Sequence, residues 1–167
     1  MGKSSSVQNF AHVARVFIDW VEQTEQEYTA SAALRNLGAL YLSALQLPPP
    51  YSEGLPDDEH QLGISASTLD QIYIRASKLP FQYYGVVFNS LEMPPGSPVV
   101  GDIADDIRDI YGDVKIGLLL FEQGRLSEAC WEWGYMFRLH WGKHLTGAIQ
   151  SLHDYLANED WDGLSSN

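Results

Sequence analysis

Residues 101–121 read GDIADDIRDIYGDVKIGLLLF, and the spacing of the apolar side chains in this stretch decides the fold. At ~100° per residue of an α-helix, one narrow stripe contains the apolar residues Ile103, Ile107, Ile110, Val114, Leu118 and Phe121. A second stripe directly beside it is acidic and consists of Asp102, Asp106, Asp109 and Asp113. The pattern predicts a helix from about Val99 to Gln123, followed by Gly124. Solvated acids would scatter over the far side of this helix, so their position indicates a cleft at the border of the core.

Similar three- and four-residue spacing predicts helices on both sides of this stretch. They run from Ser5 or Ser6 to about Gln26, from Thr29 or Ser31 to the prolines at 48–50, from Ser67 or Thr68 to about Leu79, and from about Ser127 to Leu156. Glycines at 134, 142 and 147 are points where the last helix could bend or break. Residues 81–88 are rich in β-forming side chains but have no obvious partner strand. They predict an irregular or short β insertion between the third and fourth helices.

The fold class predicted from these segments is mainly α. We expect a single-domain helical bundle of about five helices over residues 1–167, with a disordered tail at 1–5 and a loose tail at 158–167. A chain of 167 residues buries enough surface to fold without a disulfide or metal. Residues 48–63 predict a solvated loop that crosses the end of the bundle or flanks a functional site.

Composition excludes several classes of partner. The chain has 22 acidic against 10 basic residues and a formal net charge of −12. Nucleic acids and anionic membranes both require basic surfaces, so neither is an expected partner. No apolar run is long enough for a transmembrane helix. The single cysteine, Cys130, cannot form an internal disulfide, which favours a cytoplasmic location.

Two histidines near the C-terminus add a candidate metal site. His140 and His144 are four residues apart, so on a helix both imidazoles face the same way and can reach one ion. The acidic stripe supplies the remaining ligands. The sequence therefore predicts a site for a divalent metal (Zn, Mn or Fe) inside the bundle, with candidate ligands His140, His144, Asp102, Asp106, Asp109 and Asp113.

Other interpretations of the same residues remain open. In the favoured one the histidines bond carboxylates or backbone carbonyls in a structural polar seam, and Arg108 or Arg138 neutralises the remaining charge. The protein would then be an interaction or regulatory module with a protein partner or a second copy of itself. The alternative is a metal-dependent hydrolase in which Asp105 acts as general base. Metal-free acid–base chemistry is a third possibility, and Asp102 also has a simpler role in the first turn of its helix.

Several blocks of the sequence resemble a bacterial family catalogued as a domain of unknown function. The specific blocks are residues 101–111 (GDIADDIRDIY), 128–133 (EACWEW) and 140–144 (HWGKH). Residues 40–41, 47–48 and 84–88 are similar to the family's first half, although Asn89-Ser90 stands where the family has Asp-Pro. The resemblance implies a bacterial cytoplasmic protein. It carries over no catalytic residue, because the family has no established activity.

Overall fold

A computed structural model describes residues 3–24, 28–50, 62–87 and 89–165 of the chain. These residues form six helices and two strands in the order α1 (Lys3–Glu22), α2 (Ala30–Ala44), α3 (Ala66–Ala76), β1 (Tyr83–Val86), β2 (Val99–Asp102), α4 (Ile103–Glu122), α5 (Leu126–Leu139) and α6 (Trp141–Ser165). The prediction of a mainly helical fold is confirmed. Residues 51–61, which make up most of the predicted loop 48–63, lie outside the described part of the chain.

Helix α4 lies at the centre of the molecule and contacts α1, α3, α5 and α6. Its predicted apolar stripe is buried, since Ile103, Ile107, Ile110 and Val114 have no exposed surface. The helix ends as predicted, with Gly124 at a positive φ of 77° just beyond it, a conformation that glycine adopts without strain. One cluster of buried side chains joins all six described helices around α4.

The insertion before α4 is a two-stranded antiparallel ribbon. Strand β1 pairs with β2 so that Tyr84 lies opposite Gly101. The partner strand of β1 is therefore Val99–Asp102, a segment that the helical spacing assigns to the first turn of α4. Asp102 is extended, with φ −123° and ψ 112°, and its carboxylate caps the helix that begins at Ile103. This cap explains why α4 begins four residues later than predicted.

The last predicted helix is two helices, so the described residues contain six helices in place of the expected five or so. The break is at His140, whose φ of −135° and ψ of −86° are not helical. Gly142 permits this junction, because a Cβ atom there would lie 2.1 Å from the carbonyl oxygen of Phe137. Trp141 is buried beside Phe137, with ring centroids 4.8 Å apart, and anchors the start of α6 in the core.

At both ends of the chain, helices extend into the segments that were expected to be tails. Helix α1 already begins at Lys3, within the expected tail 1–5. Helix α6 continues to Ser165, through most of the expected tail 158–167. Among the described helices, none combines the length and the apolar character needed to cross a membrane.

Candidate metal centre

The predicted Asp and His residues meet where α4 packs against the junction of α5 and α6. Three aspartates of α4 face this junction, namely Asp106, Asp109 and Asp113. The side chains of His140 and His144 approach them from the opposite side. The two imidazole rings lie edge to face with centroids 4.8 Å apart. The two rings are thus in contact even though the break at His140 means that the histidines do not share one continuous helix.

The Nδ1 atom of each histidine bonds a carboxylate. His140 Nδ1 lies 2.7 Å from Asp113 Oδ2, and His144 Nδ1 lies 2.7 Å from Asp106 Oδ1. An ionised carboxylate accepts hydrogen bonds and cannot donate them, so Nδ1 carries the proton in both rings. In a neutral imidazole this leaves the lone pair on Nε2.

Both Nε2 atoms point towards one oxygen of Asp109. Asp109 Oδ2 lies 3.6 Å from His144 Nε2 and 3.9 Å from His140 Nε2. Neither Nε2 has a hydrogen-bond partner in the part of the chain that the structure describes. One ligand atom from each of the three residues lies within 4.8 Å of the other two. Ligands at ~2.0–2.1 Å from a tetrahedral metal are roughly 3.4 Å apart. The two His–Asp109 distances are close to this value, and the group as a whole, spread over up to 4.8 Å, would contract around an ion.

Arg108 holds the other oxygen of Asp109. Its Nε and Nη2 donate to Oδ1 at 3.2 and 3.1 Å. The same guanidinium forms an ion pair with Asp105. Of the two arginines expected to neutralise the seam, Arg108 therefore lies at the cluster, whereas Arg138 bonds the carbonyl of Gly134 on its own helix. Because Oδ1 is occupied, Oδ2 of Asp109 is the oxygen presented to the histidines.

The pKa values of His144, Asp113 and Asp105 are raised, by hydrogen bonding in the first case and by burial in the other two. The hydrogen bond to Asp106 is the main cause of a raised pKa at His144. Burial raises the pKa of Asp113, and the hydrogen bond from His140 opposes this effect. Burial, followed by the charge of Asp109, raises the pKa of Asp105. The cluster therefore holds protons more tightly than exposed groups of the same kinds.

Tyr84 of β1 is also part of this network, although no pattern in the sequence points to it. Its hydroxyl donates to Asp106 Oδ2 at 2.6 Å. Burial and this bond together raise the pKa of Tyr84 far above its usual value. The available signal was the pair of glycines that flank the ring, Gly101 and Gly147, but they are distant in the sequence from each other and from Tyr84.

Asp102 lies outside the group that faces the two Nε2 atoms. Its Oδ1 accepts the backbone N–H groups of Ala104 and Asp105, and its Oδ2 accepts from the Tyr73 hydroxyl at 3.0 Å and from Gln82. The acidic stripe therefore divides by role. Among the described residues, Asp102 caps the helix, Asp106 and Asp113 orient the histidines, and Asp109 faces the Nε2 atoms of both.

Comparisons with known proteins give a family but no activity. A family model described as a domain of unknown function, DUF5063, matches residues 2–158. The expectation of a domain-of-unknown-function family is thus confirmed. No functionally curated protein matches the chain. The crystal structure of protein BF1032 from Bacteroides fragilis is similar, with a TM-score of 0.72 and 24% identity, covering 90% of this chain and 91% of that one. At this identity the likeness concerns the fold alone.

Proposed function

The chain belongs to the DUF5063 family, whose function is unknown, and we propose from the geometry of its Asp/His cluster that it is a metal-dependent hydrolase. Asp109, His140 and His144 would bind one divalent transition metal. The observation that carries the proposal is that both free Nε2 atoms face Asp109 Oδ2, at 3.9 and 3.6 Å. Two histidines and one carboxylate suit Zn, Mn or Fe.

The partners of the three proposed ligands support a metal site over a purely structural seam. Histidines that bind metals usually donate their other ring N–H to a carboxylate or carbonyl, which fixes the tautomer and the ring orientation. Asp113 and Asp106 accept these bonds at 2.7 Å. A structural seam accounts for the Nδ1 contacts. A protonated His144 would also be attracted to Asp109, but a metal ion accounts in addition for the Nε2 atoms of both histidines facing the same carboxylate oxygen.

The proposed chemistry requires a coordination position that solvent and substrate can reach. Three protein ligands leave a further position for water or substrate, as in catalytic zinc sites. The side chain of His140 is 41% exposed, which is consistent with access from solvent. A bound divalent metal would lower the pKa of a water molecule and polarise a substrate carbonyl or phosphoryl group.

Asp105 is our candidate for the general base. It lies one turn before Asp109 on α4, and its pKa is raised towards the range useful for proton transfer. The ion pair with Arg108 would hold its carboxylate in place on the same side of the helix. Replacing Asp105 with Asn would then reduce turnover without reducing metal content.

Metal content of protein purified without an affinity tag tests the proposal. We expect one equivalent of a divalent transition metal per chain in the wild type, and none in His144→Ala. His153→Ala is the matched control, since His153 is an exposed histidine on the same helix. Absence of stoichiometric metal in the wild type, or equal content in His144→Ala, would contradict the proposal. Hydrolysis of model esters, amides and phosphate esters by the metal-loaded protein, abolished by a chelator, tests the reaction type.

A protein-interaction function is the second candidate, and a different surface favours it. Leu91, Met93 and Val100, in and beside the segment that links β1 to β2, are 90%, 79% and 76% exposed. A contiguous apolar patch formed by these side chains would suit a protein partner or a homodimer. Sedimentation equilibrium over a range of concentrations tests the homodimer. A monomer at all concentrations contradicts it.

We retain the predictions of a cytoplasmic location and of no nucleic-acid partner.

A further inference from the structure

We propose that Tyr84 is a positioning residue of the metal centre, acting on His144 through Asp106. This inference rests on the proposed function, because it presumes that His144 is a metal ligand. It adds a residue from the β-ribbon to a site otherwise built from helices. It also makes the docking of the ribbon a determinant of metal affinity.

The ring of Tyr84 lies in a slot that two glycines leave open. A Cβ atom at Gly101 would lie 2.5 Å from Tyr84 Cζ, and one at Gly147 would lie 2.6 Å from the Tyr84 hydroxyl oxygen. Gly101 belongs to β2 and Gly147 to α6. Any side chain at either position would displace the ring. The slot therefore fixes where the hydroxyl points.

The hydroxyl points at the carboxylate that orients His144. Tyr84 donates to Asp106 Oδ2 at 2.6 Å, while Asp106 Oδ1 lies 2.7 Å from His144 Nδ1. The Asp106 side chain is only 8% exposed, so water has little access to either oxygen. With Oδ2 occupied by Tyr84, the carboxylate has one orientation and Oδ1 is left for the histidine. The Nε2 atom of His144 is thereby aimed at Asp109.

The two histidines differ in how they are supported. Asp113 accepts from His140, and among the described residues no second donor to its carboxylate is seen. Asp106 has both His144 and Tyr84. Removal of the Tyr84 hydroxyl should therefore affect the His144 side of the site selectively. Outer partners of metal ligands typically contribute 10–100-fold to metal affinity.

A double-mutant cycle on zinc affinity tests this inference. Zinc dissociation constants would be measured for the wild type, Tyr84→Phe, Asp106→Asn and the double variant. We expect a loss of about 10-fold or more for Tyr84→Phe. The double variant should bind zinc no more weakly than Asp106→Asn alone, because Tyr84 acts through Asp106. Tyr83→Phe is the control, since Tyr83 is the neighbouring strand residue and is 63% exposed.

A second variant approaches the same contact from the opposite side. Gly147→Ala leaves Tyr84 unchanged but forces its hydroxyl away from Asp106, while alanine is otherwise favoured over glycine within a helix. We expect a loss of zinc affinity comparable to that of Tyr84→Phe. This variant also serves if Tyr84→Phe does not fold.

Each outcome of these measurements decides the question. If the wild type binds no zinc, Mn or Fe, the proposed function and this inference both fail. If the wild type binds zinc but Tyr84→Phe and Gly147→Ala bind it equally well, the inference fails while the proposed function stands. If the losses of Tyr84→Phe and Asp106→Asn add in full, Tyr84 does not act through Asp106, and the inference is again overturned.

Discussion

Asp109 shows how one carboxylate can serve two purposes at once. Its Oδ1 accepts two hydrogen bonds from Arg108, and its Oδ2 faces the free nitrogens of His140 and His144. Each of these three side chains has a charged or polar partner that fixes its orientation. At the scale of single residues, the centre is therefore organised before any ligand arrives, which lowers the cost of binding one.

The His144–Asp106 pair predicts a pH-dependent contribution to stability. The folded-state pKa of His144 is raised above its usual value of about 6.5. The pair therefore stabilises the fold fully below that pH, and the contribution is lost as pH rises through the raised pKa. We expect His144→Gln to lower the free energy of unfolding more at pH 5.5 than at pH 9. Urea denaturation of the metal-free protein, with a chelator present, measures this at both pH values, and an equal loss at both would contradict it.

At the scale of elements, the close contact between α4 and α5 depends on Gly117. A Cβ atom at this position would lie 2.2 Å from Trp133 Nε1. The Trp133 ring is fully buried, and its N–H donates to the carbonyl of Val114 at 3.0 Å. The indole is confined on another side by Phe10, whose ring centroid is 4.8 Å away. The ring therefore has little room to yield.

A pair of glycine substitutions in α4 tests this packing. We expect Gly117→Ala to destabilise the protein by ~1–3 kcal/mol, the usual cost of overpacking a core. Gly112→Ala is the matched control, because its Cβ would have only an ordinary contact at 3.7 Å with Leu69. Alanine within a helix gains up to about 1 kcal/mol over glycine, so Gly112→Ala should be neutral or stabilising. Thermal or urea unfolding distinguishes them, and equal effects would contradict the packing described.

The elements that the sequence predicted correctly are those with a long apolar repeat. The stripe from Ile103 to Leu118 identified α4 and placed Asp106, Asp109 and Asp113 beside the core. Strand β2 has only four residues and leads directly into α4, so the helical repeat hid it. Gly142, one of the three glycines named as possible break points, lies at the observed junction, but apolar residues continue on both sides and gave no sign of which glycine it would be. Tyr84 was missed because its contact with Asp106 depends on the pairing of β1 with β2.

At the scale of the whole molecule, binding of a metal should stabilise the fold. The proposed ligands come from α4, α6 and the residue before α6, which are far apart in the unfolded chain. A ligand at 100 times its dissociation constant adds about 2.7 kcal/mol of stability. For a domain of this size, 1 kcal/mol raises Tm by roughly 2–4 °C. We expect zinc to raise Tm accordingly in the wild type and in His153→Ala, but not in His144→Ala.

Protons compete with the metal for the histidine nitrogens, so zinc binding should depend on pH. A metal requires the neutral form of each histidine, and the raised pKa of His144 keeps that ring protonated to higher pH than usual. Zinc affinity should therefore increase as pH rises through this pKa. Calorimetric titration between pH 6 and pH 8.5 measures the trend. Affinity that is constant over this range would show that His144 is not a ligand.

For the whole molecule, the net charge of −12 bears on which partners can bind, but it does not describe the candidate metal centre. It made nucleic acids and anionic membranes unexpected partners, and that prediction depends only on composition. Composition could not show that one aspartate of the acidic stripe faces two free imidazole nitrogens. That arrangement depends on the junction of α5 and α6 and on the contact of both helices with α4.

A crystal structure grown with zinc, with anomalous data collected at the zinc edge, tests the central claim most directly. We predict one strong anomalous peak per chain, within ~2.0–2.2 Å of His140 Nε2, His144 Nε2 and Asp109 Oδ2. The Nδ1 contacts to Asp113 and Asp106 should be retained. A structure in which zinc binds only elsewhere, or in which both Nε2 atoms bond protein oxygens and no ion is present, would contradict the account.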